Sequence, residues 1–329
     1  MPTRIHFVVD HAQIEGLAHW HGIYSKELES QQCADVTMTN NPEEATYMLF
    51  LEAGRSPARF WDRNFLLEHP LVRRYPEKCR LWCSSDNPAA YLPGLFVSMP
   101  RKFFDRRLHR AFRYFKMHNE RNPIPQIKKR DLLYNFVGAP TSAVRERLLA
   151  HQAPEDALVR ETLNYNHSRW ANDEVVTDYT QILTRSRFTL CPRGVGTSSY
   201  RLFETMRVGS VPVIFSDELV LPEGPDWTAC SVRIAEKDAH KTESILREIK
   251  NAEEMGQAAA KAFQQFFSEE RLLINVAREL EALGPTDLKL AKKKFRKQEL
   301  GKLKERALRK LGFVISKIGK RNSERRQNF

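Results

Sequence analysis

Residues 187 to 217, RFTLCPRGVGTSSYRLFETMRVGSVPVIFSD, constrain the fold of this chain more than any other stretch. The apolar run up to Cys191 suits a buried strand, Pro192 stops it, and Gly194 and Gly196 open a tight turn. Thr197, Ser198 and Ser199 then supply N-cap oxygens, Tyr200 to Val208 carries helix formers, and Gly209 stands where a C-cap glycine belongs. VPVIF follows as a second buried strand. Strand, glycine turn, helix and strand within about thirty residues predict one βαβ unit whose strands run parallel.

That turn is suited to an anion. The first turn of a helix leaves backbone N–H groups without partners, and glycines let a ligand approach the main chain. Arg193 and Arg201 flank the turn, and two guanidinium forks match the oxygens of a diphosphate. Glu204, one turn beyond Arg201 on the same face, can accept from a pair of sugar hydroxyls. The inferred ligand is a nucleoside diphosphate, held by Arg193, Gly194, Gly196, Ser198, Ser199, Tyr200, Arg201 and Glu204.

CPRG, then SYRLFE, then G-x-VPVI-x-SD resembles the exostosin-like glycosyltransferases, glycosyltransferase family 47. The likeness continues through Leu221, Pro222 and Trp227 into CSVRIAEKD, and NFVGAPTSAVRERLLA (residues 135–150) is similar to the strand and helix that precede the family's nucleotide half. Before about residue 130 the match is loose. The resemblance implies an α/β GT-B fold, two Rossmann-like domains facing across a cleft, and metal-independent, inverting transfer from a nucleoside diphosphate sugar. No metal or other cofactor is expected, and no DxD-type acid pair lies near the turn.

The chain of 329 residues has room for two domains. We expect an acceptor-side domain over 1–165, with the linker in the Asn-rich stretch between residues 152 and 172, a nucleotide-sugar domain over 166–284, and a basic amphipathic helical tail over 285–329. Residues 286–329 hold 16 lysines and arginines against 4 acids, whereas the remainder balances at 37 against 37, so the whole net charge of +12 lies in the tail. A neutral body argues against a nucleic-acid partner and for one local contact, either an anionic membrane surface met by 286–329 or a closing helix packed on the first domain. No window approaches eighteen apolar residues, and MPTRIHFVVD lacks the layout of a signal peptide; the expected location is cytoplasmic, peripheral on the inner face of the membrane where the tail binds lipid.

In the first half, short strands alternate with helices, as in a mostly parallel sheet. Arg101 to Arg130 mixes cations with Phe103, Phe104, Phe112, Tyr114 and Phe115; packing of the rings inward competes with an acceptor-facing surface. Ser142 is expected to cap the following helix, with Arg145 and Arg147 solvated on it. Cys79 and Cys83 read as buried strand thiols, not zinc ligands.

Inversion needs a general base near the acceptor hydroxyl, and the strand-end carboxylates Asp86, Asp10 and Glu52 are the candidates. Asp86 leads because SSDNP is a polar turn, although an Asx-turn role fits it equally. The partners implied are a nucleoside diphosphate sugar and a glycan or lipid-linked acceptor. Two alternatives remain. Gly194, Gly196 and Asp217 imitate a dinucleotide fingerprint, which would make the chain an NAD(P)-dependent oxidoreductase, although Ser199 replaces the third glycine. The other is a catalytically inactive, membrane-associated scaffold with a transferase fold.

Overall fold

The computed structural model of the chain describes residues 2–8, 28–52, 68–115, 124, 129–162 and 173–304, apart from the side chains of 52 and 173–176. Asp10 lies outside these residues, and Glu52 is described only as the backbone end of a strand. Two sheets, each entirely parallel, make up the body. The first has the order β2-β1-β3-β4-β5-β6, from β1 (Thr3–Val8), β2 (Val36–Met38), β3 (Tyr47–Glu52), β4 (Cys79–Cys83), β5 (Gly94–Phe96) and β6 (His109–Ala111). The second has the order β11-β10-β9-β7-β8, from β7 (Leu132–Gly138), β8 (Ala157–Glu161), β9 (Ser186–Pro192), β10 (Val211–Phe215) and β11 (Val232–Arg233). This is the pair of Rossmann-like sheets expected of a GT-B chain.

The central βαβ unit forms as its sequence dictates. β9 and β10 pair in parallel from Phe188 against Val211 to Pro192 against Phe215, and both are buried on their two faces, which accounts for their unbroken apolar runs. The helix Tyr200–Arg207 joins them. Gly209 has φ +70° and donates to the carbonyl of Met206 at 3.0 Å, a left-handed stop that a side chain would resist.

The expected boundary at 165 is overturned by the hydrogen bonding of β7 and β8, which belong to the second sheet, so the sheets divide between Ala111 and Leu132. β8 is an edge strand whose residues are half-buried or exposed, so its sequence lacks the apolar run of a central strand, and the reading of 152–172 as linker misses it. Trp227–Cys230 is a short helix started by Asp226, whose carboxylate accepts from the N–H groups of Thr228 and Ala229.

The other end of the expected division changes as well. The helix Leu272–Glu281 packs Leu272, Leu273, Val276 and Leu280 into one core with Ile5, Leu49 and Trp82, so the chain returns to the first sheet before 284. Arg80, buried on β4, fixes this return by donating to the carbonyl of Gly284 at 2.8 Å and to the hydroxyl of Thr286. From 288 to 304 the tail is helical, and Leu288 and Phe295 join the core on the other side of the same sheet. The closing-helix reading therefore holds for this part of the tail, while 305–329 lie outside the described residues. No helix among the described residues is long and apolar enough to cross a membrane.

The rings of the basic stretch point inward: Phe112, Tyr114 and Phe115 are buried, with Phe112 and Phe115 edge-on to Trp82. Arg113 is wholly buried and donates to the Tyr114 carbonyl at 2.7 Å. Packing, not an acceptor surface, explains that composition.

The helix Ala252–Phe266 crosses the end of Tyr200–Arg207 at Gly256, where an added methyl would run into the carbonyl of Gly209. Alanine ordinarily favours a helix by about 1 kcal/mol over glycine. Here overpacking against main chain should outweigh it, so Gly256→Ala is expected to destabilise by about 1–3 kcal/mol, measured as a lower urea midpoint. A higher midpoint would mean that the two helices separate easily.

Candidate functional site

The site lies where the strand order of the second sheet reverses. The chain passes from β7 outward to β8 and then returns to lay β9 on the other side of β7. Loops leaving the carboxyl ends of two such strands diverge, and the crevice between them is where open α/β sheets take ligands. The loop after β7 covers residues 139–142, and the glycine loop after β9 covers 193–199.

Three guanidinium groups converge on this edge. Arg145, on the helix Ala143–Ala150, is buried; Nε donates to the Arg193 carbonyl at 3.0 Å, Nη2 to that of Pro192 at 3.3 Å and Nη1 to that of Ala139 at 3.4 Å. Arg201 is buried too, lies over the ring of Phe136 at 4.8 Å from its centroid, and donates Nη2 to the carbonyl of Val137. Its Nε and Nη1 make no well-directed hydrogen bond among the described residues, although Tyr179 and Glu204 are close enough to act on its charge. Burial pulls the Arg201 pKa down, but Tyr179, Cys191 and Glu204 outweigh it, so the net direction is up and the group stays cationic. Arg193 is only partly buried, with Nε 2.8 Å from Oε1 of Glu236.

The glycine loop is shaped by close approach and not by unusual dihedrals. Among the described glycines, left-handed φ occurs at Gly209, Gly224 and Gly284, which leaves Gly194 and Gly196 in conformations open to other residues. A Cβ on Gly196, however, would stand 2.8 Å from Oδ1 of Asp86 and 2.9 Å from its Cα. The missing side chain lets the first domain seat its Asp86 turn directly on the loop. Beside it, Oγ of Ser98 accepts from the Ser198 N–H at 3.3 Å, and Tyr114 stacks on Tyr200 with ring centroids 3.7 Å apart. Burial, then the charge of Asp86, raises the Tyr114 pKa well above its usual value, so the phenol stays protonated.

Of the expected base candidates, the structure brings Asp86 to the loop; it is half-buried there. Glu204 is 2 % exposed and accepts from the Tyr179 hydroxyl at 3.3 Å, beneath the loop and not on its surface. Ser199 occupies the N-cap position through its backbone, without a capping hydrogen bond from its side chain. Ser142 likewise does not cap its helix: its hydroxyl donates to the Arg193 carbonyl at 2.9 Å.

The reading of Arg145 as solvated is overturned by its burial on three carbonyls. Its sequence signal is the PTS turn three residues before it, which brings the helix of β7 against the loop of β9; the loop itself, about fifty residues later, is not visible from there. Thr141 and Thr197, each with a buried hydroxyl that lacks a partner among the described residues, add two further polar groups to the crevice.

Residues 96–249 match the Exostosin GT47 domain. The chain carries an exostosin GT47 domain. The exostosin domain begins at β5 and ends after the helix Thr242–Glu248, taking in Ser98, Arg145 and the whole glycine loop but not Asp86. The exostosin-1 homolog of Caenorhabditis elegans is 31% identical over 144 residues, 40% of this chain and 36% of the worm protein. A probable glucuronosyltransferase of Oryza sativa subsp. japonica is 41% identical over 73 residues, and the probable beta-1,4-xylosyltransferase IRX10 of Arabidopsis thaliana 39% over 75; each match covers 22% of this chain and 18% of the plant protein. The chain thus spans 36% or less of the length of these curated relatives.

Because each carbonyl left without a donor in a buried place costs about 1–3 kcal/mol, Arg145→Ala is expected to lower the unfolding free energy by about 2–4 kcal/mol. Arg145→Lys should recover only part, since one ammonium cannot reproduce the planar fork that reaches three carbonyls. Denaturant unfolding measures both, and a lysine variant as stable as the wild type would mean that the fork does not hold the loop.

Proposed function

We propose that this exostosin-domain chain transfers a sugar from a nucleoside diphosphate sugar to a hydroxyl of a glycan or lipid-linked acceptor, with inversion at the anomeric carbon and without a metal. The observation that carries the reading is Arg201: a buried cation whose Nε and Nη1 lack a well-directed hydrogen-bond partner among the described residues, beside the glycine loop at the switch point of a parallel sheet. Glu204 balances part of this buried charge, and a diphosphate is the anion that suits the remaining donors, a helix start and a guanidinium fork together.

As the bond from the anomeric carbon to the diphosphate oxygen breaks, the electron pair stays on the diphosphate and the sugar becomes cation-like. Arg201, Arg193 and the loop amides other than those of Gly194 and Ser198, which donate within the protein, meet that growing negative charge, a role that a divalent cation plays elsewhere. Gly194 keeps the main chain open at the start of the loop, and Glu204, held by Tyr179 beneath it, balances part of the charge of Arg201. The acceptor oxygen attacks the opposite face of the sugar and passes its proton to the carboxylate of Asp86, which approaches from the first domain.

Calorimetric titration with a panel of sugar nucleotides tests the donor site. Arg201→Lys is expected to weaken donor binding at least about tenfold, because the ammonium loses the fork; heat from NAD or NADP alone would make the chain an oxidoreductase instead. Asp86→Asn should lower kcat by about 100-fold or more while the donor Kd stays or tightens, since a neutral amide removes the base and also a negative charge beside the anion loop. Undiminished kcat in this variant would rule Asp86 out as the base. Retention of the rate in chelator and an inverted anomeric proton in the product's NMR spectrum are the outcomes expected for metal-free inversion.

A further inference from the structure

The helix from 288 to 304 has one face committed to the fold and one that is not. Inward, Ala291 is fully buried, Phe295 meets Tyr91 edge-on at 5.8 Å between centroids, Lys294 pairs with Asp105 at 2.9 Å, and Gln298 Nε2 donates to the Pro88 carbonyl at 2.7 Å. These contacts hold the helix against the first domain as a fixed element.

The outer face carries one sign of charge. Lys289, Lys292, Lys293, Arg296 and Lys297 are all exposed there. The acid within the helix, Glu299, is half-buried and pairs with Lys302 at 3.3 Å, while Asp287, just before it, accepts from the Leu290 N–H at 2.9 Å. Beyond the cations, Leu300 and Leu303 are 60% and 54% exposed, one turn apart; among the described residues only Val195 and Ile124 are other large hydrophobics so exposed. Cations that meet phosphate groups, followed by apolar side chains able to enter the acyl boundary, are what a helix lying on a charged bilayer requires.

We propose that this face docks the protein on an anionic phospholipid bilayer, with Leu300 and Leu303 inserted and the lysines against the headgroups. The charge complementarity selects an anionic surface, and the two leucines select a lipid surface over a polyanionic glycan, which would leave them in water. The docking does not depend on the transfer reading, but it rests on that reading for its consequence. Gln298 and Lys302 both hold the carbonyl of Pro88, two residues from Asp86, so the docked helix brings the acceptor-side turn to the lipid surface, where a lipid-linked acceptor would be found.

The test is sedimentation of the full chain with vesicles of phosphatidylcholine alone or with added phosphatidylglycerol, read without donor or acceptor so that failure of the transfer reading leaves it unaffected. Wild type is expected to pellet with the anionic vesicles only and to be released by salt. Combined Lys292→Glu, Lys293→Glu, Arg296→Glu and Lys297→Glu should reduce the partition coefficient by about 100-fold or more, and the corresponding glutamine set by about tenfold or more. Combined Leu300→Ser and Leu303→Ser should reduce it by about tenfold. All of these residues are exposed, so circular dichroism should match wild type. Unchanged pelleting of both the glutamate and glutamine sets would overturn the proposal by assigning binding to residues beyond 304. Full binding by the leucine variant would overturn it in favour of a general polyanion site.

Discussion

Buried guanidinium forks tie main-chain carbonyls together across this protein, and the candidate site depends on one of them. Arg145 spans the carbonyls of Ala139, Pro192 and Arg193, joining the ends of two strands whose loops would otherwise be free to diverge. Arg130, half-buried, ties carbonyls in the same way at the opposite, amino-terminal ends of β9 and β10, with Nη1 on the carbonyls of Thr184 and Ser186 and Nη2 on that of Val208. Arginine serves here because its planar fork keeps its charge and presents several donors at fixed angles. A buried cation with its donors satisfied by carbonyls can be tolerated; Arg201, whose Nε and Nη1 lack a well-directed partner among the described residues, stands beside a helix start where an anion fits.

The two sheets are brought into register by contacts that leave little freedom at the loop. Gly196 removes the atom that would keep Asp86 away, Tyr114 and Tyr200 stack, and Ser98 meets the amide of Ser198. A second set of contacts lies farther out. Arg110 on β6 pairs with Glu279 at 2.7 Å and with Glu223 at 2.9 Å, linking the returning helix to the loop beyond β10. The first of these pairs is largely shielded from water, so it resists screening, whereas Glu223 is half exposed and contributes less. The return of the chain through Leu272–Glu281 and the helix after 288 means that the first sheet is completed by residues from the far end of the sequence.

This return explains which parts of the fold were legible. β9, the glycine loop, the helix Tyr200–Arg207, Gly209 and β10 are contiguous, and each is set by local chemistry: apolar runs, a proline stop, helix formers and a left-handed cap. The same locality makes the donor side of the site readable. β8 is not legible because an edge strand needs no apolar run, and a boundary placed at 165 therefore falls one strand pair beyond the division of the sheets. From its own helix Arg145 reads as solvated, because nothing there says what covers it; two of the three carbonyls it meets belong to residues 192 and 193.

By itself the sequence determined the βαβ unit, its flanking arginines and the cationic tail, because strand, helix and charge patterns are written over short windows. Only the tertiary structure decided that Nε and Nη1 of Arg201 lack a well-directed partner among the described residues while Arg145 reaches three carbonyls, that Asp86 rests on Gly196, and that the tail's apolar side closes the first domain and leaves its lysines outside. Each of these pairs residues between about fifty and more than two hundred positions apart, and the free energy of such a contact depends on burial and on partners that a local pattern does not carry.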